Sequence, residues 1–300
     1  MGAAGRESED SGGFGDGLAN AARSIIADAR QTLSEPELSD PEIIHDVRKA
    51  LKRWRALMRL LTRPLGDQAE QMRIEARELM RTLSGARDVQ AALDALKDLR
   101  KSDSPFSPTS MATIEARLTR LRDEAEAASL TPELRERLSR YLDFAALSVE
   151  NWPLGTIDFD AIANELTVTY RRARQLVPDD WTEASAEDLH DLRRRVVEHR
   201  HQMELVEPLW PRLAKVWGQE AQRLRDRLGA CQDLAVLTGF TALHQPLATW
   251  RSRIDPVIAT RRAAHIDTAK RVASRLFAAK PKAFRRRIAA LWNTRAKKKI

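Results

Sequence analysis

Apolar residues recur every three to four positions along most of the 300-residue chain. That is the period of helices that bury one face. No run alternates apolar and polar residues for long enough to support a sheet. An all-α fold is therefore expected. A first helix is predicted over residues 17–33. Asp40-Pro41-Glu42 reads as an N-cap, a proline at the first helical position and an acid in the first turn. The helix it opens stops near Pro64-Leu65-Gly66. A third helix is expected over 67–83, with Arg73, Arg77 and Arg81 in an i, i+4 row, and a short fourth runs from a corner at Arg87-Asp88 to Arg100. After a Ser/Pro loop at 102–109 come helices over 110–129 and 131–150. Asn151-Trp152-Pro153-Leu154-Gly155 is the best boundary in the chain. Beyond it a helix begins near Asp158 and another follows Ser185-Ala186-Glu187-Asp188, ending near Pro208. Further helices are predicted over 213–228, 233–244 and 246–279. Residues 1–13, rich in Gly, Ser and acids, read as a disordered tail. Residues 282–300 form a basic terminal segment with Phe284, Ile288 and Trp292 interleaved. As a helix, that segment could lie on a membrane surface or a polyanion; the other reading is a frayed soluble tail.

The second helix is the most one-sided. At about 100° per residue, His45, Arg48, Lys49, Lys52, Arg55 and Arg59 fall within an arc of roughly 120°. Val47, Leu51, Trp54, Met58 and Leu61 occupy the opposite arc. Glu42 and Asp46 sit at the margin of the basic arc or beyond it. A solvated helix face usually mixes signs. These charges repel one another unless an anion arrives.

The chain also repeats itself. His45-Asp46-Val47-Arg48-Lys49 recurs as His190-Asp191-Leu192-Arg193-Arg194, an offset of 145 residues. Leu83-Ser84-Gly85-Ala86-Arg87-Asp88-Val89 recurs at the same offset as Leu228-Gly229-Ala230-Cys231-Gln232-Asp233-Leu234, and Phe14 answers to Phe159. Three landmarks in one ungapped frame point to two copies of a helical unit, over 14–155 and 156–281. On the second charged helix, His190, Arg193, Arg194, Arg200 and His201 share an arc with Val197 and Glu204. The preceding helix carries Tyr170-Arg171-Arg172-Ala173-Arg174.

A helix starting His-x-x-Arg, continued by Lys and Arg at later turns and followed by a Leu-Gly-x-x-Arg-Asp-like corner, resembles the CHAD domain, a conserved-histidine α-helical domain. The first copy carries His45, Arg48, Lys52, Arg53 and Arg55, with Leu83, Gly85, Arg87 and Asp88. The second carries His190, Arg193 and Arg200, with Leu228, Gly229 and Asp233. It departs from the pattern at Val197 and Glu198, where basic residues are expected, and at Gln232 in place of the corner arginine. The resemblance implies two pseudo-symmetric helical bundles flanking a basic cleft that binds inorganic polyphosphate, with no chemistry of its own. The residues expected to hold the polyanion are His45, Arg48, Lys49, Lys52, Arg53, Arg55, Arg59, Arg87, Arg171, Arg174, His190, Arg193, Arg194 and Arg200.

Composition agrees with an anionic partner. The formal charge is +8 and the sequence pI is near 9.9, which fits polyphosphate, nucleic acid or an anionic membrane. Nucleic acid is the leading rival, although no base-reading aromatic patch stands out. Arginine forks grip phosphate oxygens bidentately and lysine acts as a point charge. His45 and His190 can donate to such oxygens. A lone cysteine, Cys231, excludes an intrachain disulfide and fits a reducing cytoplasm, where polyphosphate granules are one expected location. There is no signal peptide pattern, membrane span, phosphate-binding GxxxxGK[ST] or zinc spacing. On a helix, His199 and His201 point about 200° apart. No carboxylate cluster stands out to hold activating metals, and the acidic–basic strand signature of tunnel triphosphatases is missing. The expectation is a non-enzyme with no cofactor and no metal. A subunit accessory to a polyphosphate- or triphosphate-metabolising enzyme is the third reading.

Overall fold

The computed structural model describes residues 14–83, 87–101, 107–126, 130–153 and 157–297. The expected disordered tail lies outside the described residues, as do parts of the first corner, of the Ser/Pro loop and of the boundary after Trp152. The described residues form α-helices and no strand: α1 (Phe14–Ser34), α2 (Asp40–Leu60), α3 (Thr62–Leu65), α4 (Asp67–Thr82), α5 (Arg87–Leu99), α6 (Pro108–Glu126), α7 (Pro132–Glu150), α8 (Phe159–Gln175), α9 (Ala186–Leu205), α10 (Pro211–Phe240), α11 (Arg251–Leu276) and α12 (Pro281–Lys297).

Local signals set the helix starts. α2 opens one residue earlier than the sequence suggests, because Ser39 is its N-cap and the Ser39 N–H donates to Glu42 at 2.9 Å. Ser185 and Asp188 make the reciprocal pair at α9, at 3.0 and 3.1 Å. Each such pair satisfies backbone donors that a helix end leaves open.

Two hydrophobic cores hold the helices. The principal one takes Leu18 and Ile25 from α1, Trp54 and Leu57 from α2, Tyr141 from α7 and Leu166 from α8; Leu192, Leu224 and Phe284 join them from α9, α10 and α12. The second gathers Leu93 and Leu96 of α5, Ile114 and Leu118 of α6, and Leu234, Leu237 and Ile254 of α10 and α11. Each core draws on both sides of the Asn151–Gly155 connection. α10 belongs to both, and α2 packs directly on α9.

Three expectations are corrected. The second corner, at 228–234, does not exist: α10 runs through it for 30 residues, about 45 Å at 1.5 Å per residue. A single glycine is tolerated inside a helix, and Leu224, Leu228 and Leu234 keep the apolar stripe unbroken. The helix expected over 246–279 starts only at Arg251, after a short 3-10 turn at Ala248–Trp250, and ends at Leu276. The basic terminal segment is not a free interfacial helix. As α12 it packs on α8, with Phe284 and Ile288 buried and Trp292 stacked on Phe159 at 4.5 Å. Phe14 meets Phe159 edge-on at 5.0 Å and Trp292 at 5.5 Å. Trp54 is buried and Trp217 half-buried, whereas Trp210 is exposed. No helix among the described residues is long and apolar enough to cross a membrane.

Candidate functional site

The basic arc of α2 is divided among different neighbours. Arg48 Nη1 donates to the carbonyls of Met80 and Leu83 at 2.6 and 3.0 Å, the end of α4 where carbonyls lack intrahelical donors. Arg53 turns to α1 and pairs with Asp28 at 2.9 Å. Arg59 pairs with Glu198 of α9, which also accepts Arg195 at 2.9 Å. Neutralising acids that the local sequence lacks thus arrive from other helices. Glu198, a departure from the family's pattern, is one of them. Lys52 makes no hydrogen bond or ion pair with a described residue.

Lys52 instead faces a cavity of about 440 Å³ between α2, α5, α9 and α10. His45 and Arg48 line it from α2, Arg87 from α5, Arg193 from α9 and Arg225 from α10. The Arg193 guanidinium lies against Gly229, where a methyl group would sit 3.3 Å from Nε. That close approach explains a glycine in the middle of α10. Gln232 Oε1 accepts Arg193 Nη1 at 3.1 Å and lies 2.7 Å from His190 Nδ1. The residue that replaces the family's corner arginine therefore ties the two second-copy candidates together. Burial and crowding destabilise the charges. Burial, then Arg87, brings Arg48 down to about 10. Burial, then Arg225 and Arg87, does the same to Arg193. Burial together with Arg48, Arg193, Arg225 and Arg87 pushes the Lys52 ammonium down to about 7.

The cavity is not purely basic. Asp94, Asp98, Asp226 and Asp233 also line it. Asp226 accepts Arg225 at 2.7 Å and Gln222 at 2.6 Å, and Asp94 accepts Gln90 at 2.9 Å. Burial would raise the Asp98 carboxyl, but hydrogen bonds from Arg261 (2.8 and 2.7 Å) and His265 (2.6 Å) overcome it and hold it near 2. These partners are 163 and 167 residues from Asp98, beyond any local sequence signal. Asp233, expected at the second corner, sits inside α10 and its carboxyl faces the cavity without a hydrogen bond to a described residue. Burial, opposed by Arg193 and aided by Asp94, raises it to about 6.

Beyond the cavity, a second cationic group surrounds Glu198. Burial, then Arg73, lowers Arg55 to about 10, with Arg194 and Arg77 adding to the effect. Burial also lowers Arg59 against the pull of Glu198. The remaining candidates are scattered. Lys49 and Arg171 are exposed. Arg174 donates to the Phe277 carbonyl at 3.1 Å. Arg194 pairs with Asp191 at 3.1 Å, and Arg200 is held by Glu204 and Gln222. His199 is buried among Tyr170, Phe277 and Phe284, while His201 lies 2.9 Å from Glu204. No three His, Cys, Asp or Glu residues among those described are placed to share a metal ion.

Comparison with known proteins agrees with this architecture. The model of the CHAD domain family matches residues 18–242. Among solved structures, PptA from Streptomyces chartreusis superposes with a TM-score of 0.59 at 19% identity, over 88% of this chain and 99% of that one. The CHAD domain from the plant Ricinus communis does so at 0.55 and 18% identity, over 92% of each chain. No curated protein matches. A family model covering three quarters of the sequence, on an all-helical fold shared with these structures, makes this chain a member of the CHAD domain family.

Proposed function

We propose that this protein binds inorganic polyphosphate without transforming it, through the cavity between α2, α5, α9 and α10. The observation that carries the reading is the gathering of Lys52, Arg48, Arg87, Arg193 and Arg225 around one cavity. The positive forms of Arg48, Lys52 and Arg193 are destabilised by burial and by the neighbouring cations. An anion with closely spaced charges relieves that repulsion. In this reading the arginine forks grip adjacent phosphate oxygens, Lys52 supplies a point charge, and His45 donates at the mouth. His190 acts through Gln232 by orienting Arg193. The arginines around Glu198 continue the positive track. Association with polyphosphate granules in the cytoplasm follows from the same reading. The family resemblance supports it.

Nucleic acid is the rival occupant, since phosphodiesters answer to the same cations. The two separate in a competition between long-chain polyphosphate and single- and double-stranded oligonucleotides, matched for total charge, at several salt concentrations. Polyphosphate is expected to win at every salt, with log Kd rising linearly in log salt as counterions are released. Equal affinity for nucleic acid overturns the reading in favour of the rival. Release of orthophosphate or shortened chains overturns the non-catalytic part.

A further inference from the structure

The arginines of the cavity keep their charge at any physiological pH. The groups of the cavity brought toward neutral pH are Lys52 and Asp233. On its own helix Lys52 faces His45, at the exposed mouth, and Arg48. From α9 it faces Arg193, and from α10 Arg225, Asp226 and Asp233. Arg87, Asp94 and Asp98 complete the wall from α5. Three of the four carboxyls are already engaged: Asp98 by Arg261 and His265, Asp226 by Arg225 and Gln222, Asp94 by Gln90. Asp233, like Lys52, has no hydrogen bond or ion pair to a described residue.

We propose that anion entry into this cavity is coupled to proton uptake, with Lys52 and Asp233 as the groups that take the proton. This inference rests on the polyphosphate reading. Burial, and then the surrounding guanidinium groups, work against an ammonium at Lys52, which favours the free amine; its ammonium is brought down to about 7. Asp233, half-buried beside Asp94, is raised to about 6. A polyanion reverses the field at both sites. It favours the ammonium at Lys52, and it disfavours a bare carboxylate at Asp233. Each step moves one proton from solvent onto an existing nitrogen or oxygen lone pair, and no other bond changes. Because the protonated forms bind the anion better, affinity rises as pH falls from 8 to 6. The gain approaches tenfold per pH unit for each proton taken up.

The test is calorimetric titration of the full chain with long-chain polyphosphate at pH 7, in Pipes and in Tris, whose ionisation enthalpies differ. Long chains keep the titrating end groups few. A buffer-dependent enthalpy corresponding to about one proton per site is expected. In Lys52→Arg/Asp233→Asn the uptake should fall below half, whatever the affinity. Asp233→Asn is isosteric, so its share of the loss is measurable even if the lysine position does not accept arginine. Binding with a buffer-independent enthalpy overturns the coupling and leaves the polyphosphate reading intact. So does an uptake unchanged in the double variant, which would place the proton on other groups. Absence of binding at every pH between 6 and 8 overturns the polyphosphate reading, and the coupling with it.

Discussion

Gly229 separates two effects that usually travel together. In an exposed helix interior, alanine is favoured over glycine by about 0.8–1 kcal/mol. A methyl group here would stand 3.3 Å from Arg193 Nε and 3.5 Å from Nη2, so the guanidinium must shift by a few tenths of an ångström. Gly229→Ala is expected to leave Tm unchanged or higher while raising the Kd for polyphosphate about threefold, near 0.7 kcal/mol. A variant that binds as well as the parent would show that the position of Arg193 is immaterial. At this scale the sequence points to residues that share one cavity and is silent about how they are held. The one-sided wheel of α2 singles out Arg48 and Lys52, and the repeat singles out Arg193. The carbonyls that Arg48 satisfies, and Gln232 as the acceptor between His190 and Arg193, come from helix ends and faces that meet only in the folded chain.

Between elements, the α2–α9 contact is organised by an acid. Glu198 is largely shielded, accepts from Arg195 and forms an ion pair with Arg59, with Arg55 and Arg73 close enough to feel it. Removing one partner of such a pair strands the other charges and typically costs about 3–5 kcal/mol. Glu198→Gln keeps the shape, so the low end applies: about 3 kcal/mol, or roughly 6–12 °C in Tm. Millimolar tripolyphosphate should restore more of the variant's Tm than it adds to the parent's, because it replaces the lost negative charge. An unchanged Tm in differential scanning calorimetry would show that the arginines do not depend on Glu198. The periodicity made the helices legible because i, i+4 relations are local. It misread α10 because Leu228-Gly229 resembles the first copy's Leu-x-Gly corner, although the glycine serves a neighbouring helix. It misread α12 because an apolar stripe among arginines has the same pattern whether it meets a membrane or α8.

For the molecule as a whole, buried imidazoles set the acid limit. Burial lowers His199 to about 4, and it also lowers His201 and His265 against the pull of Glu204 and Asp98. Unfolded histidine titrates near 6.5. Between about 6.5 and 4 the unfolded chain therefore holds more protons than the folded one, and stability falls as pH falls. Asp98, held near 2, is depressed relative to its unfolded value of about 3.9, and its contribution is lost from about 4 downward. Lys52, brought down to about 7, starts the decline already between pH 8 and 7, and Asp233, raised to about 6, offsets part of it below 6. Tm measured from pH 8 to 4 should therefore fall throughout, with a shallower decline below about 6.5 in His199→Leu. A profile flat to pH 5 would mean that the imidazoles protonate without cost. The rosette of Phe14, Phe159 and Trp292 gives the folded molecule a built-in ruler. Dyes placed at the start of α1 and on the solvent side of α12 would sit side by side in the native protein. In an unfolded chain of this length the dimensions are set by a radius of gyration of about 60 Å. Energy transfer between them would therefore report loss of the whole fold from its seam, independently of any ligand in the cavity.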